Sequence, residues 1–149
     1  MKVIIKRAEL IDLAKISKLF NAYRIFYKQE SDLDLALNFL TKRLARSESV
    51  IFFVEDSDNN CLGFTQLFPI FSSVSAQKTW LLNDLYVDQD ARGQGVATGL
   101  LNQAKVFARE TGAKGIALET EMTNTNAQRL YESLGYEKDA EHFCYFLTV

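Results

Sequence analysis

The chain is poor in several things, and each shortage excludes something. It has one proline, one histidine and two cysteines in 149 residues, and no stretch approaches the roughly 18 consecutive apolar residues of a membrane-spanning helix. Cys61 and Cys144 lie far apart and form neither a C-x-x-C pair nor a disulfide framework. They fit a reducing compartment and read as small core hydrophobes. The single histidine, His142, has no second ligand residue at metal spacing, so no metal is expected and the residue reads as structural or solvated. A net charge of −2, with basic residues spread along the chain, gives no electrostatic case for nucleic acid or an anionic membrane surface. The segment from Met1 to Arg7 becomes charged again before a signal-length apolar run develops, and a cytoplasmic protein is the expectation.

What is present is the composition of a soluble globular protein, 48% hydrophobic and 24% charged. The length suits one core, and residues 1–149 read as a single mixed α/β domain. Val3 to Ala8 alternates as a first strand. Leu13, Ile16, Leu19, Phe20, Tyr23, Phe26 and Tyr27 recur every three or four residues, the stripe of an amphipathic helix. Ser31-Asp32 opens a second helix carrying Leu33, Leu37, Phe39, Leu40 and Leu44. Val50 to Val54 and Cys61 to Phe71 read as a hairpin around the turn formers Asp56 to Asn60, with Pro69 marking an edge or strand end. Then come a strand from Trp80 to Val87, a helix through Val96, Leu100, Leu101, Ala104, Phe107 and Ala108 stopping at Gly112, and a strand from Ile116 to Thr120. A short helix from Asn124 to Leu134 ends at Gly135, and Phe143 to Leu147 reads as a final strand. The strands Trp80–Val87 and Ile116–Thr120 flank a helical crossover and are expected to be parallel.

The stretch from Leu82 to Leu101 organises the rest. It runs from a strand through Asp88 to Arg92 into Gly93-Gln94-Gly95 and a helix start. Glycines let the backbone approach a ligand, and the first free N–H groups of a helix then point at it. Such a place suits an anion, and Arg92 adds a fixed positive charge with a planar donor fork. No Lys-Ser/Thr follows as a P-loop requires. A dinucleotide fingerprint fails as well, because Thr98 stands where the third glycine belongs and Gly99 is one place late. A phosphate or pyrophosphate site remains, beside the alternative of a glycine turn used only for folding.

Arg92-Gly93-Gln94-Gly95-Val96-Ala97 resembles the R/Q-x-x-G-x-G/A signature of the GNAT superfamily of acetyl-coenzyme-A-dependent N-acetyltransferases. Asn124, Ala127, Leu130, Tyr131, Gly135 and Tyr136 resemble its second signature, N-x-x-A-x-x-L-Y-x-x-x-G-F/Y. Asp84-Leu85-Tyr86-Val87 looks like the branch that includes diamine and related small-amine acetyltransferases. The resemblance implies a three-layer α/β fold with a central mixed, mostly antiparallel sheet, a splayed parallel pair and flanking helices. It also implies acetyl-CoA as co-substrate, its pyrophosphate on the loop from Arg92 through Gly93, Gln94, Gly95, Val96 and Ala97 to Thr98, and its pantetheine arm along Leu85, Tyr86 and Val87 as an added strand would lie. Asn124 matches a coenzyme-contacting asparagine, although it equally caps its own helix. Tyr131 matches the general acid for the coenzyme A sulfur, where a half-buried helix aromatic is the plain alternative. Many relatives are dimers, which makes a homodimer the expectation.

The reaction implied is acetyl transfer to a primary amine by direct attack in a ternary complex. The acceptor favoured is a small molecule. A protein lysine or N-terminus, or a non-catalytic acyl-CoA-binding module, are the alternatives. An alkyl amine with pKa near 10.4 is neutral only about once in 2,500 molecules at pH 7, equivalent to roughly 4.6 kcal/mol, so a base, a water chain or a desolvated pocket is needed. Where some small-amine relatives carry a Glu, this chain has Asn83, which takes no proton. Asp84 and Glu119, with Glu121, are the carboxylates left on the two cleft strands, each equally readable as solvated or capping, and a water relay stands beside them. Tyr23, Phe26 and Tyr27 are offered as the lining of an amine pocket, with Glu30, Asp32 or Asp34 attracting a cation; a packed aromatic stripe beside a solvated acidic loop is the plainer account.

Overall fold

The computed structural model describes residues 2–149, which form two compact units, the first running to Leu118 and the second Glu119–Val149. The first unit contains a five-stranded sheet in chain order, β1 (Val3–Arg7), β2 (Val50–Asp56), β3 (Cys61–Ser72), β4 (Gln77–Val87) and β5 (Ile116–Ala117). The first three pairings are antiparallel and β4 runs parallel to β5, because the helix α3 (Val96–Glu110) carries the chain back between them. Helices α1 (Leu13–Phe26) and α2 (Leu33–Ala45) join β1 to β2. No helix among the described residues is long and apolar enough to cross a membrane.

Strand alternation divides the central residues between two layers. Phe53 and Phe64 face α1 and α2, where they meet Leu13, Ile16, Phe20, Ala36 and Leu40 in one buried cluster. Phe52 and Trp80 face the other way, against Phe107 of α3, with ring centroids 5.4 and 5.0 Å apart. Each such buried side chain contributes about 1.5–3 kcal/mol. The turn between the helices is tied down by the buried Asn21, whose Nδ2 donates to Ser31 Oγ at 3.1 Å and whose Oδ1 accepts from Asp32 N at 2.9 Å. Asp32 then caps α2 by accepting from Leu35 N. Pro69 sits where β3 has run past its last pairing with β2, Val50–Leu67, so its missing N–H costs no bond on that side.

Two local features set the facing of β4 and the seat of α3 on the sheet. The β3–β4 ladder pairs Gln66 with Asp84 and Leu67 with Leu82, so Asn83 is an extra residue in β4. A bulge of this kind reverses the alternation beyond it. Trp80 therefore faces α3, whereas Asp84 and Tyr86 face α1 beside Gln66 and Phe64. The second feature is Gly63, where a Cβ would lie 2.8 Å from Val96 Cγ1 and 3.1 Å from Tyr86 O. Only hydrogen there lets the first turn of α3 rest on the sheet. Gly63→Ala is expected to cost about 1–3 kcal/mol, read as a lower denaturation midpoint; an unchanged midpoint would mean that α3 slides away freely.

The sheet is shorter at its last strand than the sequence suggests. β5 spans Ile116–Ala117 rather than Ile116 to Thr120, and its ladder has two rungs, Trp80–Ile116 and Leu81–Ala117. The parallel strands part at the bulge, since a strand that bends away at Asn83 leaves its neighbour no register to follow. The second unit contains α4 (Thr125–Ser133). No strand forms at Phe143–Leu147 among the described residues of this unit, which offers that segment no neighbouring strand with which to exchange hydrogen bonds.

Candidate functional site

Beyond β4 the chain turns through Asp88 to Ala91 and enters the glycine loop. Asp88 N donates to Leu62 O at 2.8 Å and Ala91 N to Asp88 O at 2.9 Å, which anchors the loop on β3. Gly93 and Gly95 both take left-handed conformations, φ +75° and +80°. A Cβ at either would meet no atom within 4 Å, so glycine is required there for backbone conformation and an open face rather than for packing. Gly95 is the N-cap of α3 and offers no side chain to its orphan donors. The helix's own bonding starts with Gly99 N donating to Gly95 O, and the N–H groups of Val96, Ala97 and Thr98 precede it.

Arg92 is held in place from two sides. Its Nε donates to Val87 O at 3.1 Å, and its guanidinium carbon lies 5.5 Å from the Tyr86 ring centroid. Both contacts leave the planar fork oriented with little side-chain freedom left to lose. Gln94 folds back, Nε2 donating to Asp90 O at 3.4 Å. Together Val87, Ala91, Arg92, Gly93, Gly95 and the α3 residues Val96 to Thr98 border an open hollow of about 210 Å³. Leu85 and Tyr86 continue along β4, Leu85 on the α3 face and Tyr86 on the α1 face.

On the same strand Asp84 is buried, at 5% exposure. Gln66 Nε2 donates to its Oδ2 at 2.6 Å and Asn83 Nδ2 to its Oδ1 at 3.1 Å. The Tyr23 hydroxyl supplies a third hydrogen bond, yet burial outweighs all three and pushes the Asp84 carboxyl above the usual carboxylate range. Tyr23 itself stands in a cage of rings, 6.1 Å from Phe20, 5.8 Å from Phe64, 5.6 Å from Tyr86 and 5.1 Å from Tyr27. Of the aromatic stripe proposed for an amine pocket, Tyr23 is thus tied into the core and beside the carboxylate. Asp32 is committed to capping α2, and Glu30 and Asp34 are exposed. Gln66 escapes a reading by motif; the signal for it was Thr65-Gln66, two polar residues in the middle of an otherwise apolar strand.

In the second unit Asn124 caps α4, its Oδ1 accepting from Ala127 N at 3.1 Å. The spacing from Tyr131 to Tyr136 is a helix-stop geometry. Gly135, at φ +96°, lets its own N–H reach Glu132 O and the Tyr136 N–H reach Tyr131 O, and the two tyrosine rings pack at 5.7 Å. Burial, then Tyr131 itself, pushes the Tyr136 phenol up to about 12, which makes Tyr136 a poor proton donor. Glu119 is exposed and lies beyond the end of β5 rather than on a strand; Glu121 is exposed as well. His142 pairs with Asp139 at 2.9 Å, and no three His, Cys, Asp or Glu side chains among the described residues are placed to hold a metal ion. Burial pushes the Cys61 thiol up to about 11, so it is a weak nucleophile at neutral pH.

The profile of the Acetyltransferase (GNAT) family matches residues 13–136. An uncharacterized N-acetyltransferase of Bacillus subtilis (strain 168), YhfO, is 47% identical over 145 residues, which cover 97% of each chain. The crystal structure of a probable acetyltransferase, 42% identical, superposes with a TM-score of 0.92 over 100% of this chain and 98% of that one. A predicted acetyltransferase from Clostridium acetobutylicum, crystallised with acetyl-CoA, matches with a TM-score of 0.78 over 97% of this chain and 96% of that one; at 16% identity this likeness concerns the fold alone.

Proposed function

The chain belongs to the GNAT family of acetyltransferases, and from that premise we propose that it transfers acetyl from acetyl-CoA to the primary amine of a small molecule by direct attack. The observation that carries this reading is that one strand, β4, bears a buried carboxylate at Asp84 and leads straight into the anion-receptive loop at Arg92. The loop fits the coenzyme's pyrophosphate: two left-handed glycines with open space above them, an uncapped helix start and an oriented guanidinium. Coenzyme A supplies the acetyl group as a thioester. Val96, Ala97 and Thr98 would donate backbone N–H bonds to its phosphates, and Arg92 would neutralise their charge.

Asp84 accepts the proton that the acceptor amine must lose. It is preferred to Glu119 because burial raises its basicity toward that of a useful base, while Glu119 is exposed. The weakly acidic Cys61 supports attack by the amine itself over an acyl-cysteine route. Tyr131 is assigned the proton donor to the leaving sulfur on the strength of the Asn124–Tyr136 signature.

The test is thiol release from acetyl-CoA in the presence of polyamines, amino acids and aminoglycosides. One class of amine is expected to give turnover, and Tyr131→Phe is expected to lower kcat by about 10²–10⁴ with coenzyme A affinity unchanged. Coenzyme binding without thiol release from any amine, small or peptidic, would instead favour a non-catalytic acyl-CoA-binding module.

A further inference from the structure

Three groups contact the Asp84 carboxylate: the amides of Gln66 and Asn83, and the hydroxyl of Tyr23. No charged side chain figures among its partners in the described residues. An amide N–H donates but passes on no proton, whereas a hydroxyl donates and accepts at once. Gln66 is fully buried and closes the inner side of the carboxylate. Tyr23 is half-buried on α1 and is the one partner with a transferable proton. Its ring is fixed against Phe64 and Tyr86, which are themselves paired across β3 and β4, so the hydroxyl is held at Asp84 by the core rather than by chance rotamer choice.

Gln66 adds an independent observation. Its Oε1 is buried and makes no hydrogen bond, while its Nε2 stands only 2.6 Å from Asp84 Oδ2. That separation is short for N–H···O and ordinary for O–H···O. Turning the amide over would bring Oε1 to the same position as the acceptor of a protonated Asp84, a rotation about a soft terminal torsion. The glutamine therefore serves either charge state, as a site that takes up and releases a proton requires.

Building on the assignment of Asp84 as the base, we infer that Tyr23 relays the proton from the acceptor amine to Asp84, so that the base is a two-residue chain whose outer end is a phenol on α1. The ammonium gives a proton to Tyr23 Oη as the Tyr23 proton passes to Asp84. The freed lone pair then forms the N–C bond to the acetyl carbonyl, the C–S bond breaks, and the second nitrogen proton balances the one taken up by sulfur. The products are the amide, free coenzyme A thiol and one proton, which Asp84 returns to solvent through the same hydroxyl.

Tyr23→Phe keeps the ring contacts and removes only the hydroxyl. With the best amine of the panel, kcat/KM is expected to fall 10- to 100-fold at neutral pH with coenzyme A affinity unchanged, and to recover as the pH approaches the amine's own pKa. A loss of equal size at every pH, or one below twofold, overturns the relay. Should the variant not fold, 3-fluorotyrosine at position 23 keeps the packing and acidifies the phenol; the acidic limb of the pH profile shifts with a relay and an unmoved limb overturns it. A readout without substrate completes the test: in the coenzyme-free protein, carbon NMR of the Asp84 carboxyl should show its titration displaced upward by Tyr23→Phe, and an unchanged titration removes the hydrogen bond on which the relay depends. Failure of the underlying assignment looks different, since Asp84→Asn would then retain activity; loss in Asp84→Asn with full activity in Tyr23→Phe overturns the relay alone.

Discussion

Asp84→Asn is expected to lower kcat/KM for the amine by about 10²–10⁴, the range of a lost general base, and to leave coenzyme A affinity as it was. The substitution keeps the volume of the side chain and one acceptor oxygen for Gln66, so a large kinetic loss with a small change in melting temperature is the signature. At neutral pH the acceptor amine is almost wholly protonated, and the carboxamide of the variant could neither take its proton nor pass it on. The pH dependence has a definite sign. Burial holds the Asp84 carboxyl above its ordinary value of 3.8, so wild-type activity rises with pH through that raised value, and the variant lacks this limb. A folded-state pKa raised above the unfolded one contributes stability that is fully present below 3.8 and is lost as the pH climbs through the raised value. Wild type therefore loses stability relative to Asp84→Asn across that window, which calorimetry at a series of pH values would follow. Retained turnover in Asp84→Asn would transfer the role of base to another group.

Gly95→Asp is expected to raise the Kd for coenzyme A about 100-fold or more, measured by calorimetric titration. Two unit charges 4 Å apart interact by about 4 kcal/mol at an effective dielectric of 20, or nearly three decades, and salt screening trims this toward two. Backbone strain adds to it, because an L side chain in the left-handed region costs about 1–2 kcal/mol. Gly95→Ala separates the two effects: it imposes the strain without the charge and is expected to show the smaller loss. A Cβ at Gly95 would meet no atom within 4 Å and the face beyond it is open, so both variants are expected to fold. Undiminished affinity in Gly95→Asp would show that the anion is held elsewhere.

Much of this architecture was legible in the chain. The Leu13–Tyr27 stripe, the Asp32 cap, the Asp56–Asn60 turn and the helix stops at Gly112 and Gly135 all follow from periodicity or from residue types with one favourable backbone geometry. The two ends of the parallel pair were less legible. A strand such as Ile116 to Thr120 carries the right residues, but its length is set by the partner it pairs with, and β4 leaves it after two rungs. The same holds for Phe143–Leu147, whose β propensity forms no ladder within the second unit.

The sequence by itself determined the glycine loop and its conformation. Positive φ at Gly93 and Gly95 is a local preference, and the helix start that follows is written in the next few residues. Only the tertiary structure decided what Asp84 is. The alternation of Trp80 to Val87 would place Asp84 on the Trp80 face, against α3. The extra residue at Asn83 turns it instead toward Tyr23 and Gln66, because register belongs to a pair of strands and no single strand carries it.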